Sequence, residues 1–244
     1  MSSLAKKVRA RLEQDASPEV KANFERYFKG QVQLLGLKRP AIAAIERELK
    51  PSFAALSLAQ RQEVALGLLG SPYLEERQIA VGVLAKDAKK LPDSFLAALE
   101  PVFDRVAKEW GTCDLIAGKL LRAFVLRSPK TRRRVVGWSR SKNLWRQRAS
   151  AVAFVNEARK GQHDDEILEI CERIVKNPER FVQLGCGWVL RELYLAAPDR
   201  VCSFLRSHEP ELSREGLRYA IEKMPRQLQQ SLLDSHRAPS PKAR

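Results

Sequence analysis

One short segment carries the main signal for the fold, and it reads Phe181-Val-Gln-Leu-Gly-Cys-Gly-Trp-Val-Leu190. Its apolar residues recur at the three- and four-residue intervals of an α-helix with one buried face. Similar segments begin at Glu76, Cys113, Trp145 and Ser213. Small residues inside them, such as Gly185, predict that neighbouring helices approach each other closely. The chain is therefore predicted to repeat one kind of helix along its length.

These helices recur at a regular distance. Their equivalent anchor positions are Gln78, Asp114, Gln147, Gln183 and Glu215. The successive intervals are 36, 33, 36 and 32 residues, and each contains a further amphipathic helix, such as 94–106 or 165–175. Two helices per repeat of this length are typical of solenoids, and the TPR consensus is missing. We predict an all-α, HEAT-like helical repeat solenoid (α-α superhelix) whose second helices line a concave face.

Other features of the sequence predict the domain organisation, the location and the absence of a metal site. We expect a single repeat domain over residues 1–234 and a polar, flexible tail over 235–244. No apolar stretch is long enough to span a bilayer and no signal peptide is evident, so a cytoplasmic location is expected. The cysteines and histidines lack the spacing of metal ligands, so the four cysteines are interpreted as reduced packing residues and no metal site is expected.

The charge is unevenly distributed. The net charge is +15, from 44 Lys and Arg against 29 Asp and Glu. No acidic residue occurs between positions 115 and 156. That stretch holds eleven basic residues: Lys119, Arg122, Arg127, Lys130, Arg132, Arg133, Arg134, Arg140, Lys142, Arg146 and Arg148. A solvated helix face normally carries both signs, so the stretch indicates that the concave face is basic and binds a polyanion.

Four residues from three consecutive repeats can converge on that face. Trp110 and Asp114 are four apart and share one side of a helix, while Arg148 and Trp188 follow the next two anchors closely. Structural roles remain open for all of them: core packing for the tryptophans, helix entry for Asp114 and an ion pair for Arg148. Asp114 is nevertheless the only acid between Gly111 and position 156. This isolation favours a role for Asp114 as a structural counter-ion or as a group that takes part in a reaction.

Three motifs are specific in combination. They are Asn143-Leu-Trp-Arg-Gln-Arg148, Gly187-Trp-Val-Leu-Arg-Glu192 and the Trp-x-x-x-Asp from Trp110 to Asp114. With them the chain resembles, over nearly its whole length, the AlkD-type DNA alkylation repair family, the HEAT-repeat alkylpurine DNA glycosylases. The family segment often reads Trp-Trp-Asp-x-x-Asp, whereas this chain has Glu109-Trp-Gly-Thr-Cys-Asp114. That departure puts loop rigidity and substrate range in doubt.

The resemblance implies a role for each matched residue. Asp114 falls on the catalytic carboxylate, Trp110 and Trp188 on the tryptophans that pack against the sugar, and Arg148 on the arginine that anchors a phosphate. These four residues form the predicted catalytic site. The DNA contacts that we predict are Tyr27, Lys38, Arg39, Arg146 and Arg148.

The implied activity is that of a monofunctional DNA glycosylase in base excision repair. It would hydrolyse the N-glycosidic bond of cationic alkylated purines, of the 3-methyladenine and 7-methylguanine type, in duplex DNA. We expect no cofactor, a monomer, double-stranded DNA containing alkylated purines as the partner, and association with the nucleoid. A lyase reaction would need a desolvated lysine, and the sequence singles out none.

Two other classes of function stay open. The first is a non-catalytic HEAT-repeat protein that binds damaged, bent or branched DNA. The second is a scaffold that binds acidic peptides. The acid-free stretch suits any polyanion, so a DNA-binding assay and a base-release assay are needed to separate the three.

Overall fold

The computed structural model describes residues 2–28 and 32–236. The first helices are α1 Ser3–Gln14, α2 Pro18–Phe28, α3 Arg39–Glu48, α4 Lys50–Ala54, α5 Leu58–Leu69, α6 Leu74–Asp87, α7 Phe95–Val106 and α8 Trp110–Leu115, followed by a π-helical turn, Ile116–Leu121. The later helices are α9 Arg122–Arg127, α10 Pro129–Gly137, α11 Leu144–Val152, α12 Val155–Ala158, α13 Asp164–Ile174, α14 Arg180–Tyr194, α15 Pro198–Ser207, α16 Arg214–Ala220 and α17 Arg226–Ser235. Short 3₁₀ turns span Trp138–Arg140 and Glu209–Glu211.

The predicted fold class is confirmed. No β-strand occurs in the ranges that the structure describes, and extended pairing there is limited to one isolated bridge between Gln33 and Tyr73. The repeated segments form α6, α8 with its π turn, α11, α14 and α16, and the expected intervening helices are α7, α10, α13 and α15. Residues 237–244 of the expected tail lie outside the described residues.

The chain divides into two compact units, Met1–Ala123 and Phe124–Arg244. Each unit has its own apolar interior. Fully buried side chains of the first include Leu68 and Phe103, and those of the second include Phe154 and Val189. The single domain expected over residues 1–234 stays a prediction.

Glycines allow close helix packing in the second unit, as expected. A Cβ atom on Gly185 would lie 3.1 Å from Cγ of Arg148 on α11. A Cβ atom on Gly187 would lie 2.6 Å from the carbonyl oxygen of Gly216 on α16, closer than such atoms approach. Side chains larger than hydrogen at these two positions would therefore push α14 away from its neighbours.

The anchor glutamines connect consecutive helix pairs. Gln183 is 1% exposed. Its Nε2 donates to the carbonyl oxygens of Val175 (2.7 Å) and Asn177 (2.8 Å), and its Oε1 accepts from the backbone N–H of Ser213 at 2.9 Å. Gln147 likewise accepts from Nδ2 of Asn177 at 2.7 Å. Gln147 and Gln183 therefore occupy equivalent positions at which they satisfy polar groups where one helix pair meets the next.

The cysteines lie where packing residues are expected. Cys113, Cys171 and Cys186 are buried, Cys202 is partly buried, and all four are free thiols. Burial raises the pKa of the Cys171 thiol well above its usual value. Within the described ranges, no three potential metal-ligand side chains cluster together. No helix there is both long and apolar enough to cross a membrane.

Replacing Gln183 by Leu is expected to lower the free energy of unfolding by about 2 kcal/mol, because it leaves the Ser213 N–H and the Val175 carbonyl without their partner. Urea denaturation measures the change. The matched control is Gln162→Leu at an exposed position, for which we expect a change within about 0.5 kcal/mol. Equal effects of the two substitutions would contradict the role assigned to the anchor.

Candidate functional site

The helix that carries Trp110 and Asp114 begins with a buried carboxylate. Glu109 is the N-cap of α8 and is 1% exposed. Its carboxylate accepts hydrogen bonds from the backbone N–H groups of Gly111 and, at 2.7 Å, Thr112. These are the free donors at a helix start that a capping side chain satisfies. The helix-entry role considered for Asp114 therefore belongs to Glu109.

An arginine from α6 supports this helix start. Arg77 donates from Nη1 to Oγ1 of Thr112 at 2.9 Å and from Nε to the carbonyl oxygen of Ser71 at 2.7 Å. Burial lowers the pKa of Arg77, while the charge of Glu109 acts in the opposite direction. The cap and its arginine thus fix the first turn of α8 against α6.

Glu109 and Gly111, the two departures from the family pattern, are linked by geometry. A Cβ atom on Gly111 would lie 2.8 Å from Oε2 of Glu109 and 2.8 Å from Cε1 of Phe28. Any larger residue at position 111, including the aspartate frequent in the family, would displace one of these groups. Glycine at 111 thus leaves room for both the capping carboxylate and the phenyl ring in these positions.

Trp110 belongs to an aromatic cluster. Its ring stacks on Phe28 with a centroid separation of 5.4 Å and an interplanar angle of 26°. Tyr27 meets Trp110 edge-on at 5.6 Å and Phe28 at 5.2 Å. Trp110 is half-buried, whereas Tyr27 is 64% exposed. The cluster therefore holds the indole in place and presents an aromatic ring to solvent.

Asp114 lies near the end of α8 and is half-buried. The chain continues directly into the π-helical turn Ile116–Leu121. Such turns are rare and occur frequently at functional sites. A Cβ atom on Gly118, within this turn, would meet no heavy atom within 4 Å, so the surface about one turn beyond Asp114 is open. Apolar spacing alone did not reveal the π turn.

The loop before α3 places the predicted contacts Lys38 and Arg39. Oε1 of the buried Glu75 accepts from the backbone N–H of Gly36 at 2.8 Å and from those of its two neighbours. Lys38 is exposed, whereas Arg39 pairs with Glu46 through Nη1 and Oε1 at 3.0 Å. Of these two cations, Arg39 is therefore the one paired with Glu46, and Lys38 is the one more available to a phosphate group.

Lys119 lies one helical turn beyond Asp114. Partial desolvation, together with the nearby cations Arg39 and Lys86, lowers the pKa of its ammonium group, and Glu46 acts in the opposite direction. The sequence did not single out this residue because its neighbours come from α3 and α6.

The second unit positions Arg148 and Trp188. Arg148 is only 5% exposed, and its Nη1 donates to the carbonyl oxygen of Phe181 at 2.8 Å. Trp188 is half-buried on the same helix as Phe181. Arg148 is therefore held against α14, the helix that carries Trp188, by a hydrogen bond and by the space at Gly185.

Parts of the acid-free stretch are neutralised from elsewhere in the chain. Arg132 pairs with Glu166 at 2.9 Å, and Arg133 pairs with Glu169 at 2.5 Å. Hydrogen bonding by Arg133, assisted by Arg173, lowers the pKa of Glu169 to about 2. These acids lie on α13, more than thirty residues away in sequence, so inspection of the stretch alone overstates its free charge.

Other cations of the stretch remain close to the start of α11. Arg140 and Lys142 are exposed just before Asn143, which caps the helix by accepting from the backbone N–H of Trp145 at 2.9 Å. Arg146 lies with its Cζ 5.2 Å from the centroid of the Trp138 ring, a cation–π contact. The predicted contact Arg146 is thus placed by an aromatic ring beneath it.

Comparisons with known proteins agree with this architecture. Residues 8–224 match the family described as DNA alkylation repair enzyme, and the chain belongs to that family. A solved structure described as a predicted DNA alkylation repair enzyme from Enterococcus faecalis is similar, with a TM-score of 0.77 and 16% identity. The similarity covers 86% of this chain and 97% of that one, and at this identity it shows a shared fold. No curated protein matches the chain significantly.

Glu109→Ala is expected to lower the free energy of unfolding by about 1–2 kcal/mol, because two backbone N–H groups at the start of α8 lose their acceptor. Urea denaturation measures the loss. Glu63→Ala, which removes an exposed carboxylate of the same unit, serves as the control and is expected to stay within about 0.5 kcal/mol. An unchanged midpoint for Glu109→Ala would show that the cap contributes nothing.

Proposed function

We propose that this protein is a monofunctional DNA glycosylase of the AlkD type, which hydrolyses the N-glycosidic bond of cationic alkylated purines in duplex DNA. The observation that carries the proposal is the position of Asp114. It is half-buried on the helix that Trp110 begins, Glu109 performs the capping in its place, and the surface at Gly118 beyond it is open. The matched family residues supply the expected substrate class.

The proposed chemistry needs one carboxylate. Cleavage of the bond to deoxyribose passes through a state with positive charge around C1′, and a nearby carboxylate stabilises that charge. The carboxylate of Asp114 would also orient the attacking water and take its proton. A 3-methyladenine or 7-methylguanine base is cationic in DNA and leaves as a neutral molecule, so no general acid is required.

The aromatic residues have a complementary task. The faces of Trp110 and Trp188 would pack against the cationic sugar and base, since a positive charge is attracted to an indole face. Phe28 covers one side of Trp110 and limits its movement. The exposed ring of Tyr27 would contact the DNA beside it. The role of Trp188 rests on the family resemblance and on its partly exposed position on α14.

The basic residues would hold the DNA backbone. Exposed Lys38, Arg140 and Lys142 are suited to mobile phosphate contacts, which make binding strongly dependent on salt. Arg148, held by the Phe181 carbonyl, would bind one phosphate from a fixed position. We also propose a cytoplasmic, monomeric protein that associates with the nucleoid through its binding to DNA.

The substitution Asp114→Asn is expected to reduce base release from methylated duplex DNA by at least about 100-fold, because an amide cannot stabilise the developing positive charge. Release of 3-methyladenine and 7-methylguanine is measured by chromatography. Asp15→Asn makes the same chemical change at an exposed position on the first unit and is expected to leave release unchanged.

Three results would contradict the proposal. Full activity of Asp114→Asn would remove the role of the carboxylate. Tight binding to bent or branched DNA, with no base release by the unaltered protein from any alkylated duplex, would favour the non-catalytic alternative. Indifference to DNA of every kind would favour a scaffold for acidic peptides.

Lys142→Gln is expected to reduce the slope of log Kd against log salt concentration by about 1, because one phosphate contact is lost. Fluorescence anisotropy with unmodified duplex DNA measures the slope. Lys6→Gln removes an exposed charge from α1 and is expected to leave it unchanged. An identical slope for Lys142→Gln and the unaltered protein would place the backbone contacts elsewhere.

A further inference from the structure

The first unit contains a cavity that the proposed glycosylase reaction does not use. Its volume is about 360 Å³, and its walls come from α3 through α6. Its apolar lining includes the half-buried Val83 and the almost fully covered Phe53 and Ile79, which are 5% and 1% exposed. This size is at the lower end of the range for small-molecule sites, about 300–1,000 Å³. The cavity therefore suits a group as small as a single nucleobase.

Three lysines surround the cavity: Lys50, Lys86 and Lys90. All are exposed, and none forms a side-chain hydrogen bond or ion pair with another described residue. The two acids of the rim already have partners. Glu46 pairs with Arg39 at 3.0 Å, and Asp87 accepts from Nε of Arg61 at 2.7 Å. The uncommitted charge at the cavity mouth is therefore positive.

A glycine keeps the cavity accessible. Gly82 lies among the lining residues, on the same helix as Ile79 and Val83. A Cβ atom there would lie 3.2 Å from Oε1 of Glu46. A large side chain at this position would both fill the space and disturb the Glu46–Arg39 pair.

The positive charge extends beyond the cavity. Lys86 at the rim acts on the charge of Lys119, an exposed cation of the π-helical turn beyond Asp114. A free mononucleotide carries one phosphate group, whereas a DNA strand carries one at every nucleotide. The extended distribution of cations therefore matches a strand better than a free nucleotide.

We propose that the cavity binds one unpaired base of a DNA strand, with the flanking phosphates on Lys50, Lys86 and Lys90. The aliphatic side chain of the half-buried Val83, together with the small exposed part of Phe53, contacts the base. The inference rests on the proposed binding of DNA. It does not depend on the chemistry of Asp114.

The test compares two unalkylated duplexes, one fully paired and one with a single unpaired 2-aminopurine. The unaltered protein is expected to bind the second about tenfold more tightly in a fluorescence titration. Gly82→Leu is expected to abolish this preference. Lys90→Gln is expected to reduce the preference, whereas the matched control Lys89→Gln, its exposed neighbour outside the cavity, retains it.

A second measurement keeps the test decisive if Gly82→Leu fails to fold. The cavity shields the 2-aminopurine from acrylamide quenching in complexes of the unaltered protein and of Lys89→Gln, and shields it less in complexes of Lys86→Gln. Equal affinity for the two duplexes, or equal quenching in all complexes, would overturn the proposal. Binding of deoxyadenosine monophosphate as tightly as the duplex with the unpaired base would also overturn the proposal.

The two proposals fail separately. Base release from methylated duplex DNA is expected to be the same for Lys90→Gln and Lys89→Gln, because neither residue belongs to the proposed reaction site. Loss of activity in Asp114→Asn with the preference for the unpaired base retained would support both proposals. Base release without a preference for the unpaired base would support the proposed glycosylase and contradict base binding in the cavity.

Discussion

The candidate site of the first unit depends on one buried interaction, the carboxylate of Glu109 against the first backbone N–H groups of α8. α8 continues without a break into the π-helical turn, but the backbone N–H groups of its first turn have no acceptor within the helix and need one from a side chain. Glu109 does this from a buried position, and Arg77 holds Thr112 from the neighbouring helix. The cap therefore fixes the first turn of the helix, which carries Trp110, and with it the position of Asp114 one turn further along.

The same interaction explains what the sequence could and could not predict. The repeat was predictable because Gln147 and Gln183 recur at the junctions where they satisfy buried polar groups. The coupling of Glu109 with Gly111 was not, because it depends on Phe28, some eighty residues earlier in the chain. A departure from the family pattern that raised doubt about rigidity is in the structure a second way of achieving it. The π turn after Asp114 also escaped prediction, since the same apolar residues suit either helix type.

The sequence predicted the excess of positive charge, but not which of the cations form ion pairs. The absence of acids over residues 115–156 indicated a surface for polyanions, yet Arg132 and Arg133 are paired with acids of α13. Ion pairs between distant segments cannot be read from one stretch, because they depend on which helices become neighbours. Conversely, Lys50, Lys86 and Lys90 are scattered among acids in the sequence and attracted no attention. Folding commits Glu46 and Asp87 to arginines and so leaves the lysines as the uncommitted charges.

The proposed chemistry limits which bases the protein can release. A carboxylate that only stabilises positive charge accelerates departure of a base that is already cationic, because the leaving group then needs no proton. An unmodified purine would leave as an anion, and the proposed chemistry includes no step that protonates it. Selectivity for alkylated bases would therefore arise from the reactivity of the lesion itself. An open surface at Gly118 agrees with this view, since a site that selects by reactivity has no need of a tight pocket around the base.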